Sequence, residues 1–402
     1  MSPSFASTPE RLVSFADGLV DAIRSVVGEG RAVPLHEPCF RGREWEYVKD
    51  SLDSGWVSTV GGYVSRFERQ LADVTGCGWA VATSSGTAAL HTCLLLSGVG
   101  PGDEVLVPSV SFVATANAVA YTGATPHFVD CNDVTLGIDP AALEAHLAGV
   151  AAIADGVCRN RWTGRRIAAI VPVHACGHPC QIEAIADIAA RFHLTLVEDA
   201  AQALGSTYHG RHAGRWGRLS ALSFNGNKTV TTGGGGAILT GDKALAELAR
   251  HITTTAKLPH DWEYRHDRVG YNYRLPNLNA ALGCAQLEQL PAFVESKREL
   301  ARRYQHAFQG VEGVRFLSEP AGSRSNYWLC SVLLDEDRAG ELATVLGRAR
   351  DRGIMTRPSW HLLSDLPMYA ECPRSPLAVS ESIGRRLVNL PSSPGLCLAA
   401  AS

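Results

Sequence analysis

Between residues 80 and 200, short apolar runs alternate with stretches whose apolar residues recur at helical spacing. The runs at 80–82, 105–108, 127–129, 167–173 and 194–197 read as strands, and the stretches at 86–96, 113–121, 140–147 and 182–192 as the helices between them. Such alternation predicts a largely parallel sheet with helices on both faces. Two further runs, 219–224 and 236–239, read as strands flanking a glycine-rich stretch. Beyond Pro276 a long helical pattern runs through Leu282, Leu287 and Leu290 toward Tyr304. The remainder mixes a strand-like run at 327–334 with a helix at 340–350. The expected architecture is α/β. A large domain over 34–275 carries the mostly parallel central sheet, and residues 276–402 form a linking helix and a small C-terminal α+β domain. Residues 1–33 read as an amphipathic arm. Its helix starts at Thr8-Pro9-Glu10, and its stripe is Leu12, Phe15, Ala16, Leu19, Ile23 and Val26.

Composition narrows the class. Apolar residues make up 46 % and charged residues 19 %, ordinary for a folded chain. The 37 basic and 40 acidic side chains give 37 − 40 = −3, so no basic surface is offered in bulk and no nucleic-acid partner is expected. The eleven cysteines are scattered and form no C-x-x-C pair, which points to reduced thiols and a cytoplasmic protein. Glu10, Asp17 and Asp21 interrupt the N-terminal stripe, unlike a targeting segment. No apolar stretch reaches the roughly eighteen residues of a membrane span.

Four short segments could carry chemistry. Ser223-Phe224-Asn225-Gly226-Asn227-Lys228, followed by Thr231-Thr232 and the glycines 233–236, puts a lysine at a strand end in a small-residue loop. Desolvation there would lower its pKa and free the amine as a nucleophile; the plain alternative is a surface lysine. Gly226 and Lys228 are not adjacent, so the segment is no P-loop. The glycines lead into a strand, so it is no dinucleotide fingerprint. Asp199 closes the strand-like 194–199, where ligands bind in open α/β sheets, or else caps the next helix. Ser85-Gly86-Thr87 opens a helix whose free amides suit a phosphate, or forms a simple cap. Phe112 follows a strand end and could present its ring to a planar cofactor, or sit in the core. Together, a nucleophilic lysine, an acid for a pyridine nitrogen, a phosphate-binding helix start and an aromatic ring are the parts of a pyridoxal phosphate site. A competing cluster, His174, Cys176, His178 and Cys180, has zinc-binding residue types but not the paired spacing of structural zinc sites, so no metal is expected. His174 is instead expected to line the pocket or the core.

With these segments in view, the chain resembles the sugar aminotransferases of the DegT/DnrJ/EryC1/StrS family, pyridoxal phosphate enzymes of fold type I. The resemblance runs from Pro34 to Ser393. It is carried by Ser54-Gly55-Trp56-Val57, Ser85-Gly86-Thr87, Glu198-Asp199-Ala200-Ala201-Gln202, Ser223-Phe224 with Lys228, Gly270-Tyr271-Asn272-Tyr273-Arg274 and Asn389-Leu390-Pro391-Ser392-Ser393. It implies that Lys228 bonds to pyridoxal 5′-phosphate and later moves the proton to the sugar carbon. Asp199 would pair with the ring nitrogen, Gln202 with the ring oxygen, and Phe112 would stack on the ring. The Gly86 and Thr87 amides and the Ser223 hydroxyl would hold the phosphate. Asn272 would arrive from the neighbouring subunit, making a homodimer with shared active sites. Relatives with histidine at the lysine position are dehydratases, so Lys228 favours transamination.

Asn160-Arg161-Trp162-Thr163-Gly164-Arg165-Arg166-Ile167 and Asn225-Gly226-Asn227 resemble one subgroup, which aminates C4 of a nucleotide-linked 2-acetamido-2,6-dideoxy-hexos-4-ulose on routes to bacillosamine or legionaminic acid. The implied reaction moves the amino group of glutamate to C4 of a nucleotide-linked 4-keto-6-deoxy (2-acetamido) hexose. Two alternatives stay open: another keto sugar or aminocyclitol ketone as acceptor, and a non-catalytic regulatory member that binds a sugar nucleotide. Cys176 and Cys180 depart from the small or apolar residues expected at their positions.

Overall fold

Seven strands form the central sheet. In spatial order they are Trp79–Thr83, Gly236–Thr240, Leu219–Ser223, Thr195–Asp199, Ile167–Ile170, Glu104–Pro108 and Thr125–Val129. The computed structural model describes residues 14–30 and 32–398. From Leu219–Ser223 to Thr125–Val129 all neighbouring strands are parallel, whereas Gly236–Thr240 runs antiparallel to both of its neighbours. The reversal has a local cause. The connection over 224–235 is short and contains no helix, whereas a parallel return needs a longer crossover that is usually helical. The interior strand Glu104–Pro108 is buried at every position, as a strand covered on both faces must be.

Three of the helices that follow strands, Gly86–Leu96, Pro140–Val150 and Lys243–Thr253, begin on side-chain caps. Ser85 accepts from the Ala88 amide, Asp139 from Ala142, and Asp242 from Ala244 and Leu245. One apolar cluster joins Val81, Leu94, Val107, Phe128 and Val197; a second joins Phe67, Leu71, Leu222, Phe224 and Leu287.

The helix Asn277–Phe308 runs from the second cluster into a third, where Leu300, Tyr304 and Phe308 pack against Val332, Val345 and Val388. There a four-stranded antiparallel sheet forms in the order Val314–Phe316, Cys330–Leu334, Leu387–Leu390, Arg357–Pro358. The N-terminal helix Phe15–Val27 buries Ala16, Leu19, Val20 and Ile23 in this same cluster. Its cap is Ser14, and the expected start at Thr8-Pro9-Glu10, with Leu12, lies outside the described residues. The chain then stays with the small sheet. Val33 bridges Ile354, the Ser392 amide donates to the Leu35 carbonyl, and the Glu37 amide donates to Ser393 Oγ. The segment 33–37 is thus strapped across the small sheet.

The strand expected at 327–334 begins only at Cys330, because Tyr327 has φ +45° and turns the chain out of extended geometry. The strand expected at 167–173 ends at Ile170. Among the described residues no helix is long and apolar enough to cross a membrane.

Candidate active site

A pocket opens at the C-terminal ends of the parallel strands, built from segments far apart in the chain. Asp199 is the last residue of its strand and is buried. Its Oδ2 accepts from Thr115 Oγ1 at 2.8 Å, and its Oδ1 from the Ala201 amide at 3.2 Å. Thr115 Oγ1 also lies 2.9 Å from Ser111 Oγ. Because Thr115 spends its one hydroxyl proton on Asp199, Ser111 donates to Thr115. The carboxylate is therefore aimed into the pocket by a short chain of hydroxyls.

Leu219–Ser223 ends alongside, and Ser223 and Lys228 both line the pocket. The Lys228 amide donates to the Asn225 carbonyl at 2.9 Å, folding the loop into a turn. Its Nζ lies 4.0 Å from the centroid of the Trp328 ring. Burial lowers its pKa to about 8, against the opposing pull of Asp199 and Cys176.

The helix Gly86–Leu96 starts at the same pocket. Its first amides, on Gly86 and Thr87, have no intrahelical acceptor. Here the glycines earn their place by close approach. A Cβ on Gly86 would stand 2.7 Å from Ser223 Cβ, and one on Gly236 would stand 2.4 Å from the Ser85 carbonyl oxygen. The helix start, the lysine strand and its returning neighbour are pressed together only because both positions lack a side chain.

Gln202 Oε1 accepts from the Cys176 amide at 2.7 Å, which leaves the side-chain NH₂ as the donor available to the pocket. Phe112 is 53 % exposed and lines the mouth. Of the eight expected site residues, the structure brings seven into one pocket: Gly86, Thr87, Phe112, Asp199, Gln202, Ser223 and Lys228. Asn272 is elsewhere. It is exposed, its backbone bridges Thr254, and it does not line this chain's pocket.

The sequence reading missed Ser111, Thr115, Trp328 and Trp360, which also line the pocket. The two hydroxyls sit just past a strand end, a position that could have flagged them. The tryptophans lie next to strands of the small sheet and carried no local signal.

The His/Cys cluster is taken up by packing and hydrogen bonds. His174 Nε2 faces Glu198 Oε2 at 2.9 Å, and its Nδ1 accepts from the Cys180 amide at 3.2 Å. Because a backbone N–H points at Nδ1, the proton of this buried ring sits on Nε2 and is donated to Glu198. His178 packs edge-on against Tyr327. Among the described residues no group of three or more His, Cys, Asp and Glu could hold a metal ion.

The pocket fits pyridoxal phosphate on its own chemistry. Free helix-start amides and Ser223 suit a phosphate, the fixed carboxylate of Asp199 suits a ring N–H, and the Gln202 amide suits an anionic ring oxygen.

Comparison with known proteins agrees. Residues 38–402 match the DegT/DnrJ/EryC1/StrS aminotransferase family. The chain is similar to GDP-perosamine synthase of Escherichia coli O157:H7, with 38 % identity over 90 % of this chain and 94 % of that protein. It is also similar to GDP-perosamine synthase of Caulobacter vibrioides, with 36 % identity over 90 % of this chain and 94 % of the relative. Among solved structures, a DegT/DnrJ/EryC1/StrS aminotransferase from Brucella abortus superimposes with a TM-score of 0.78 at 32 % identity, over 88 % of this chain and 90 % of that one. The chain belongs to the DegT/DnrJ/EryC1/StrS family and is a pyridoxal phosphate-dependent sugar aminotransferase.

Proposed function

We propose that this enzyme moves the amino group of glutamate to C4 of a nucleotide-linked 4-keto-6-deoxyhexose, with a 2-acetamido sugar as the first candidate, in the shared active sites of a homodimer. The observation that carries the reading is the convergence of Lys228 and Asp199, from two different strand ends, on one pocket with an open helix start. Relatives named GDP-perosamine synthase in three organisms support a nucleotide sugar as acceptor and put guanosine diphosphate first among carriers.

Pyridoxal phosphate, when bound, supplies a ring that takes up the electrons released at the reacting carbon. The chain's own residues set up the rest. Lys228 holds an amine with a pKa of about 8, so near neutral pH a useful fraction is uncharged and can take a proton from the substrate carbon and return it. Asp199, fixed by Thr115 and the Ala201 amide, holds a proton on the ring nitrogen. The Gly86 and Thr87 amides and the Ser223 hydroxyl bind the phosphate, Gln202 orients the ring oxygen, and Phe112 covers the ring against water. Asn272 serves the phosphate site of the other subunit.

The test is direct. Purified protein, loaded with cofactor and supplied with glutamate, is offered GDP- and UDP-linked 4-keto-6-deoxy sugars with and without a 2-acetamido group. The product is identified by mass and NMR. Amination at C4 of at least one nucleotide sugar is expected, and Lys228→Ala should abolish it with the fold intact. Amination at another carbon, or of an aminocyclitol ketone alone, overturns the acceptor assignment.

A further inference from the structure

A second cavity, of about 550 Å³, adjoins the cofactor pocket and shares Asn227, Trp328 and Trp360 with it. Its walls come from the strapped segment 33–37, which supplies His36, and from the edge strand Arg357–Pro358 and its continuation, which supply Arg357, Ser359 and His361. Both ring nitrogens of His36 and the Ser359 hydroxyl are buried without a hydrogen-bond partner among the described residues. Buried polar groups are rarely left so, and their place around one cavity points to a ligand that accepts from the His36 N–H and the Ser359 hydroxyl. Among the described residues no Asp or Glu lines the cavity, and the Arg357 guanidinium makes no ion pair or hydrogen bond with them.

The missing partner is therefore an anion. Burial, with the charges of Lys297 and Lys228 nearby, holds His36 well below its ordinary pKa, so its ring is neutral and offers a single N–H. The Arg357 guanidinium, the Ser359 hydroxyl and the His36 N–H, with His361 beside them, match the oxygens and the single charge of a carboxylate. A diphosphate, with its greater charge, would leave this set short of cations. The cavity also lies one indole away from the catalytic lysine, since the Lys228 amine sits over Trp328 and Trp360 lies nearly parallel to Trp328, at 7°. Methylene groups can pass along those apolar faces.

We propose that this cavity seats the distal carboxylate of the amino donor, with Arg357 and Ser359 holding a five-carbon dicarboxylate while its amine reaches the Lys228 side. The inference rests on the transaminase reading above and adds the place of its donor. When the amine has been given up, the remaining 2-oxo acid keeps both carboxylates, so donor and product share the seat.

The probe is glutarate, a five-carbon dicarboxylate without an amine, titrated calorimetrically into the loaded enzyme. Alongside it, glutamate alone is used to bleach the visible band of the bound cofactor, with no keto sugar present. Arg357→Gln, at an exposed position, should weaken glutarate binding and raise the half-saturating glutamate concentration about tenfold or more, and Ser359→Ala about threefold. Alanine, which lacks the distal carboxylate, should react equally poorly with both forms, and guanosine diphosphate should bind both alike. Loss of guanosine diphosphate affinity with glutarate binding intact would reassign the cavity to the acceptor and overturn the proposal. Unchanged affinity for both ligands would overturn it as well. An enzyme that binds glutarate through Arg357 yet aminates no keto sugar would leave the seat standing and remove only the proposed acceptor.

Discussion

Lys228 carries its amine into a place with little water to solvate a charge, and its stability cost has a definite pH signature. The unfolded chain holds the lysine proton up to about pH 10.4, whereas the folded pocket releases it near pH 8. Between these values the unfolded state binds more protons, so stability of the cofactor-free protein rises with pH; below about pH 8 the full penalty applies. The ceiling is roughly 3 kcal/mol, less whatever water enters the pocket. Cofactor-free Lys228→Met should therefore be more stable than wild type at pH 7, and its advantage should shrink steadily from pH 8 to 10.5. Urea melts across that range provide the check, and a flat difference would mean that Lys228 is well solvated. The candidate lysine was legible because its loop sits at a strand end among small residues. Lys297 was not. In Glu295-Ser296-Lys297-Arg298 it looks like any helix-surface charge, yet it is fully buried, donates to the Trp328 and Ser392 carbonyls and has a pKa lowered by burial to about 7. Only the docking of the long helix on the small sheet puts it there.

At the scale of the element, Thr195–Asp199 shows how one strand end serves both chemistry and stability. Successive side chains point to opposite faces, so the neighbouring acids Glu198 and Asp199 have different tasks. Asp199 reaches the pocket. Glu198 accepts from the amides of Gly214, Trp216 and Gly217 and from His174. Burial works against its charge, but His174 and the Gly217 and Gly214 amides outweigh it and hold the carboxyl below its ordinary range. Glu198→Gln would turn an NH₂ toward donors that need an acceptor. It should destabilise the fold by about 3–5 kcal/mol in urea melts, as loss of one partner from a buried charge network does. A loss under about 1 kcal/mol would show that the network is dispensable. The main alternation of strands and helices was legible because burial on both faces demands it. The helices Glu44–Asp53, Gly62–Thr75 and Lys243–Thr253 went unread, although Val64, Phe67 and Leu71 have helical spacing. The His/Cys cluster drew attention by residue type, but spacing along the chain could not reveal that Glu198 and Gln202 claim its donors.

For the whole molecule, the decisive residue is the one its own pocket does not use. Asn272 is exposed, and the loop ahead of it leaves Trp262, Tyr264 and Val269 77 %, 80 % and 81 % exposed, an apolar surface of the kind that the proposed homodimer needs. If Asn272 serves the partner's phosphate site, each active site is assembled from two chains. An amide hydrogen bond to a charged phosphate contributes about 1.5–3 kcal/mol, so Asn272→Ala should weaken cofactor binding roughly ten- to a hundredfold. That loss alone does not say which subunit's site is damaged; mixed dimers do. When Lys228→Ala and Asn272→Ala chains are co-refolded, a shared-site dimer contains one site with both defects and one with neither. Activity should then reappear at low cofactor concentration, where each parent homodimer is nearly inactive. If Asn272 only stabilises the turn in its own chain, the Lys228→Ala half stays inactive and the other half keeps its weakened cofactor affinity, so hybrid dimers shown to be present would gain nothing over the sum of the parents. The two assemblies thus differ in whether activity is regained at one cofactor concentration, independently of which nucleotide sugar the enzyme prefers.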